Sequence, residues 1–179
     1  MGFHHVALAT RDAAATHAFY TDATGFELAK VEVASTPSGG WAKHFFYDTG
    51  GDGLIAFWEL HDERIGEDFE AAISTGLGLP EWVNHLSFAA RGLEDLEARK
   101  QRWLAHGLDV MEIDHGWCAS VYTLDPNGTL IEFCTTTRAF TDDDRAEAQR
   151  LLADPAPAVG KPPDGVLHRA AKRTEPSTR

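Results

Sequence analysis

A chain of 179 residues with apolar and charged fractions of 43% and 25% is long enough for one domain, or for two small halves that share a core. Its formal net charge of −12 argues against nucleic acid or an anionic membrane surface as a partner, and no apolar run reaches the roughly 18–20 residues of a membrane span. Two cysteines, Cys118 and Cys134, are too few for a disulfide scaffold, and with no evident signal peptide we expect a cytoplasmic protein.

The first part of the chain predicts a strand, a helix and three further strands. Phe3–Thr10 alternates between apolar and other residues as a strand does. Asp12 can cap a helix over 13–24, which ends at a glycine, Gly25, suited to a left-handed cap. The three strands that follow are predicted over 26–34, 44–47 and 54–60, the last two as a hairpin.

The second part repeats this order roughly eighty residues later. A strand over 83–90 precedes a helix over 93–106, and Gly107 offers the same kind of helix end. Three more strands are predicted over 108–113, 119–124 and 129–134. Each half is therefore a βαβββ module, and helices on one face of mostly antiparallel strands give an α+β fold.

The repeat sets the predicted boundaries. The modules span residues 1–62 and 82–137, and a polar, glycine-containing linker over 63–81 joins them. Residues 138–179 begin with a short acidic helix over 142–152. The proline-rich, charged segment after that helix is expected to be poorly ordered or to lie on the surface.

One carboxylate and two histidines indicate a metal site. Glu132 lies in the middle of an apolar strand, where a carboxylate is costly unless it is paired or binds a metal. His5 and His85 occupy the same third position of the first strand of each module, and these strands are expected to lie side by side. Two imidazoles and one carboxylate match the facial triad of non-haem iron sites. His4 is excluded because neighbouring strand residues point to opposite faces.

A fourth ligand depends on Glu59. A gap-free alignment of the two hairpins places Tyr47 on Tyr122 and Phe57 on Glu132, which leaves the first module without a matching carboxylate. Glu59 lies two residues beyond Phe57 on the same face, so a small register shift would bring it to the metal. It could equally be a strand-end glutamate in solvent.

These features resemble the vicinal oxygen chelate superfamily, which includes glyoxalase I, fosfomycin-resistance enzymes and type I extradiol dioxygenases. The resemblance covers roughly residues 3–136 and rests on His5 in HHVAL, His85 in NHLSF and Glu132 in DPNGTLIEF. It implies two modules that form a cupped, mixed β-sheet around a divalent metal, which chelates vicinal oxygens of the substrate. It also implies a homodimer.

A finer resemblance is to the signature of the extradiol ring-cleaving dioxygenases, over residues 113–132. It implies that His115 hydrogen-bonds or deprotonates a bound catechol and that Tyr122 holds a ligand oxygen. The metal would be Fe(II), or Mn(II), and the reactants a small aromatic vicinal diol and dioxygen. Those enzymes use another active-site histidine, for which no motif fixes the counterpart here; His61 is the first candidate and His44 the second.

Two other functions remain open. In a glyoxalase-like lyase or isomerase, Glu59 would complete a four-ligand Ni(II), Zn(II) or Co(II) site. A metal-free, ligand-sequestering protein of the bleomycin-resistance kind is the third possibility, although such members usually lack the His-His-Glu set that is intact in this chain.

Overall fold

A computed structural model describes residues 2–51, 53–66 and 68–171. The structure is an α+β fold of two modules, each a strand, a helix and three further strands, as the sequence predicts. The first module contains β1 (His5–Thr10), α1 (Ala13–Ala18), β2 (Glu27–Ser35), β3 (Trp41–Asp48) and β4 (Leu54–His61). The second contains β5 (His85–Ala89), α2 (Leu93–Ala105), β6 (Val110–Asp114), β7 (Cys118–Leu124) and β8 (Leu130–Thr136), and is followed by α3 (Asp142–Ala153) and β9 (Gly165–His168).

The strands form two separate sheets with orders β1-β4-β3-β2 and β5-β8-β7-β6-β9. In each sheet the first strand pairs in parallel with the last strand of its module, and the hairpin strands pair antiparallel. β1 and β5 are not hydrogen-bonded to each other. The two first strands are close to each other, as the sequence predicts, because Val6 of β1 and His85 and Phe88 of β5 line one cavity, but they belong to separate sheets.

The first helix is shorter than the sequence predicts. Asp12 caps it by accepting a hydrogen bond from the Ala15 amide at 2.9 Å. After Ala18 the chain continues as a π-helical turn, Phe19–Ala23, and then reverses at Gly25, whose φ of 83° confirms the predicted left-handed end. The regular part of α1 therefore covers only part of the first sheet.

A single apolar core joins the modules. It consists of the helix-facing sides of both sheets together with the buried sides of the two helices. Phe26 packs against Phe88 and Phe133 of the second module, with ring centroids 4.9 and 6.1 Å away, and Trp103 of α2 is fully buried. Most of each helix-facing side is thus committed to packing, and the opposite faces carry His5 on the first sheet and His85 with Glu132 on the second.

The C-terminal segment contains a strand that the sequence analysis did not predict. Residues 165–168 form β9, which lies on the surface and extends the second sheet by pairing with β6. His168 explains part of the docking, because its Nε2 atom lies 2.7 Å from the Glu112 carboxylate. The end of the predicted tail, 172–179, lies outside the described residues. No helix in the described part of the chain is long and apolar enough to cross a membrane.

Asp125, in the turn between β7 and β8, connects the modules. It is 5% exposed and accepts hydrogen bonds from the backbone amides of Asn127 and Thr129, each at 2.9 Å. The hydroxyl of Tyr20 in the first module also donates to it, at 3.1 Å. Burial raises the pKa of Asp125, and these donors oppose that increase.

We expect Asp125→Ala to lower the free energy of unfolding by about 2–4 kcal/mol, because buried donors would lose their acceptor. Urea denaturation measures the change. Asp143→Ala, at an exposed position in the first turn of α3, is the control and should change stability by less than about 0.5 kcal/mol. Equal stability of the two variants would show that the turn is not an energetic link between the modules.

Candidate metal centre

His85 and Glu132 lie together on the face of the second sheet that points away from the core. The strand register places His85 beside Leu130 and Ser87 beside Glu132, so both side chains project from the same face. The Nε2 atom of His85 is 3.2 Å from Oε2 of Glu132. The glutamate side chain is 7% exposed and the histidine side chain 36% exposed. The carboxylate is therefore buried, and solvent reaches the pair from the side of His85.

The other nitrogen of His85 defines what this pair can bind. Nδ1 lies 3.2 Å from the Trp82 carbonyl oxygen, which can only accept a hydrogen bond, so Nδ1 carries the proton. When Nε2 carries no proton, its lone pair faces the Glu132 carboxylate, and a metal ion bound between these two acceptors would satisfy both. A metal-binding histidine commonly donates its second N–H to a backbone carbonyl in this way. The separation of 3.2 Å also suits two neighbouring ligands of one ion.

Tyr122 and His115 extend this site. Tyr122 is the cross-strand partner of Glu132, and its hydroxyl lies 3.0 Å from Nε2 of His115. Burial raises the pKa of Tyr122; Ser120 opposes the increase and the nearby Glu132 adds to it. The ring of Tyr122 also lies near that of His85, with centroids 6.3 Å apart. Tyr122 therefore lies between His115 and the His85–Glu132 pair.

His5 lies elsewhere, on the first sheet. Its Nδ1 atom is 2.8 Å from Nδ1 of His4, and its ring lies near His44 and Phe46, with centroids 6.2 and 5.6 Å away. Within residues 2–51, 53–66 and 68–171, no three His, Cys, Asp or Glu side chains are grouped to hold a metal ion. One chain thus brings two of the three predicted ligands together and leaves His5 apart.

The face around His5 is built from aromatic groups. His44 is 8% exposed, its ring stacks on Trp58 at 3.8 Å, and its Nε2 atom has no hydrogen-bond partner among the described residues. Burial lowers the pKa of His44, and the nearby His5 lowers it further. The sequence analysis ranked His44 below His61. The alternation of β3 could have indicated His44, because it places this residue on the face of Phe46. The position of Trp58 beside His44 depends on the register between β3 and β4.

Glu59 and His61 occupy the opposite face of this sheet. β1 pairs His5 with Leu54 and Thr10 with Glu59, so Glu59 projects from the side that His5 does not use. Its carboxylate lies 2.7 Å from Lys43 Nζ and 3.2 Å from His61 Nε2. Burial opposes ionisation of Glu59, but the hydrogen bonds from Lys43 and His61 prevail and lower its pKa. The structure does not bring Glu59 or His61 to the face of His5.

The cause is a one-residue error in the repeat alignment. β1 places His5 opposite Leu54, and β5 places His85 opposite Leu130. The residue equivalent to Glu132 is therefore Ala56, so the alignment that placed Phe57 there is wrong. A shift of one residue moves every side chain of a strand to the other face, which is why the sequence analysis considered Glu59 as a fourth metal ligand.

Comparisons with known proteins agree with this architecture. Residues 2–133 match the family model of the Glyoxalase/Bleomycin resistance protein/Dioxygenase superfamily. No curated protein sequence matches the chain.

Several solved structures share the fold. A glyoxylase/bleomycin resistance protein/dioxygenase domain from Frankia sp. is 18% identical with a TM-score of 0.58, covering 76% of this chain and 98% of its own. The fosfomycin resistance protein FosX from Listeria monocytogenes is 19% identical with a TM-score of 0.53, covering 81% and 98%. TnmS3, an antibiotic binding protein from Streptomyces, is 14% identical with a TM-score of 0.52, covering 76% and 97%. At these identities the structures support the fold alone, and the family match shows that the chain belongs to the Glyoxalase/Bleomycin resistance protein/Dioxygenase superfamily.

Proposed function

We propose that the protein is a metal-dependent enzyme of this superfamily and that His85 and Glu132 are two of its metal ligands. The observation that carries this proposal is the His85–Glu132 pair, in which Nδ1 is committed to the Trp82 carbonyl and Nε2 faces the carboxylate. Such a donor set suits a divalent ion, with Fe(II) as the first choice and Mn(II), Ni(II) or Zn(II) as alternatives.

The third ligand in this proposal is His5 of a second copy of the chain. Within one chain the faces that carry His5 and His85 both lie outside the shared core, and His5 is exposed to solvent. In a symmetric homodimer, the first sheet of one subunit can face the second sheet of the other, which forms two identical sites. Each site would then contain the partner's His5 together with His85 and Glu132.

We further propose an extradiol-type dioxygenase that cleaves a catecholic ring with dioxygen. A bound Fe(II) ion would supply Lewis acidity toward the two catechol oxygens and electrons for dioxygen. In this reaction Tyr122, the cross-strand partner of Glu132, orients a substrate oxygen. His115 holds the Tyr122 hydroxyl. His44, which lies on the face of His5, replaces His61 as the candidate for the second active-site histidine.

The ligands are tested by metal analysis. The parent protein should contain about one ion per chain, and His5→Ala, His85→Ala and Glu132→Ala should each lose most of it, because a divalent ion held by three protein ligands is weakened by the loss of any one. Far-UV circular dichroism checks that each variant is folded. Equal metal content in His85→Ala and the parent would contradict the proposed centre.

The reaction is tested by oxygen uptake with a panel of catechols. Iron in the purified protein together with catechol-dependent uptake supports the dioxygenase. Nickel, zinc or cobalt without uptake would point instead to a lyase or isomerase, for which the position of Glu59 offers no fourth ligand in this arrangement. A protein that binds planar aromatic compounds but no stoichiometric metal would be a sequestering protein, for which the half-buried Trp58, stacked on His44, is the supporting feature.

A further inference from the structure

A second cavity lies on the helix-facing side of the first sheet, away from the face of His5. Its volume is about 190 Å³ and it opens to solvent. An apolar cavity of about 150 Å³ already accommodates benzene, so there is room for a single aromatic ring. The walls come from α1 and from strands β2, β3 and β4, and consist of Ala13, His17, Leu28, Val31, Lys43, Phe45, Tyr47 and Glu59.

The cavity exists because the two modules are covered unequally. In the second module, α2 is 13 residues long and buries Leu96, Lys100 and Trp103 against its sheet. In the first module, α1 has six residues, and every residue of β2 is exposed. In the described part of the chain the short helix therefore leaves the apolar side chains of β2, namely Leu28, Val31 and Val33, exposed beside the buried Phe45 of β3.

Polar groups line both ends of this cavity. At one end the Lys43 ammonium lies 2.7 Å from the Glu59 carboxylate. The side chains are 40% and 21% exposed, although the Oε2 atom of Glu59 that faces Lys43 is itself buried. At the other end Nδ1 of His17 lies 3.0 Å from the hydroxyl of Tyr47, which is fully buried. Along β3, the apolar Phe45 lies between these two polar pairs.

We propose that this cavity is a binding site for a small uncharged molecule with one aromatic ring or a short apolar chain and one hydroxyl or amide group. The ring would lie over Phe45 between Leu28 and Val31, and the polar group would meet Lys43 and Glu59. That pair offers one donor and one acceptor side by side. A hydroxyl or amide can use both, whereas an anion faces Glu59 and a cation faces Lys43. This site is independent of the proposed metal centre.

The test uses para-cresol and the full-length protein with isotope-labelled methyl groups. NMR titration should shift the methyl signals of Ala13, Leu28 and Val31 with a dissociation constant of about 1 mM, as expected for a ligand of this size. Leu28→Trp and Ala13→Leu fill the cavity from opposite walls, and each should weaken binding about tenfold or more. Leu152→Trp, at an exposed position on α3, is the matched control and should leave binding unchanged.

Three relatives of the probe test the polar end. Toluene, which lacks the hydroxyl, should bind about 3–10-fold more weakly than para-cresol, as should para-toluate and para-methylbenzylamine. Shifts confined to other parts of the chain, no shifts at millimolar para-cresol, or equal affinities in both cavity-filling variants and the parent would overturn the proposal. Because the titration needs neither metal nor turnover, its failure is separate from a failure of the proposed enzyme.

Discussion

Co-expression of His5→Ala and His85→Ala chains should restore about a quarter of the parental metal content, although each variant alone binds almost none. In an equimolar mixture of freely assembling chains, half of the dimers contain one copy of each variant. In such a dimer, His5 of one chain and His85 with Glu132 of the other are all intact at one of the two sites. The second site carries both substitutions and stays empty.

The reason for this expectation is the separation of the ligands within one chain. The His85–Glu132 pair lies on the second sheet, and His5 lies among His4, His44 and Phe46 on the first. If the three ligands belonged to one chain, every site in the mixture would carry one substitution and no metal would be recovered. Metal content per chain, measured on the whole population of dimers without separating the mixed ones, distinguishes the two cases.

A matched control comes from the second sheet alone. His85→Ala and Glu132→Ala remove ligands from the same half of the site, so a mixture of these chains leaves every site with one ligand missing. That mixture should remain free of stoichiometric metal. Recovery in the control, or none in the His5→Ala and His85→Ala mixture of a dimeric protein, would contradict the shared site. A protein that light scattering shows to be monomeric would contradict it as well.

Local signals in the sequence were sufficient for the elements and the module repeat. Alternating residues gave the strands, Asp12 and Gly25 gave the ends of the first helix region, and the family match agrees with the βαβββ order. These features depend on residues close together in the chain. The same alternation also gave the relation between His85 and Glu132, because the parallel pairing of β5 with β8 puts them on one face.

What the sequence could not determine depends on long-range pairing. Whether β1 and β5 join in one sheet is decided by how the modules pack, and here Phe26 and Tyr20 fix that packing through contacts with the second module. Which face of the first sheet carries Glu59 depends on the register of its strands, and no turn motif specified that register. An error of one residue in the predicted register placed Glu59 on the wrong face. The strand β9 was not predicted because it has only four residues, most of them exposed, which is too few to show a clear alternation of apolar and polar side chains.

The proton chemistry of the proposed enzyme rests on Tyr122. Tyr122→Phe should keep the metal but lower turnover of a catechol substrate by about 10²–10⁴-fold, the range for a missing acid–base group. His115 meets the site through the Tyr122 hydroxyl, at 3.0 Å. His115→Ala should therefore cost less than Tyr122→Phe, and the double variant should be no slower than Tyr122→Phe alone. His115→Gln, which keeps a hydrogen-bond donor, should recover part of the loss.

Glu59→Gln is the control for this series. Its side chain lies on the opposite face, bound to Lys43 and His61, so turnover and metal content should stay close to those of the parent. Steady-state rates of oxygen uptake and metal analysis of the same preparations measure both quantities. An inactive, metal-poor Glu59→Gln protein beside an active Tyr122→Phe protein would mean that the carboxylate of the first module reaches the metal after all. The strand register would then have to differ in the assembled protein, and lyase chemistry would become the better account of the site.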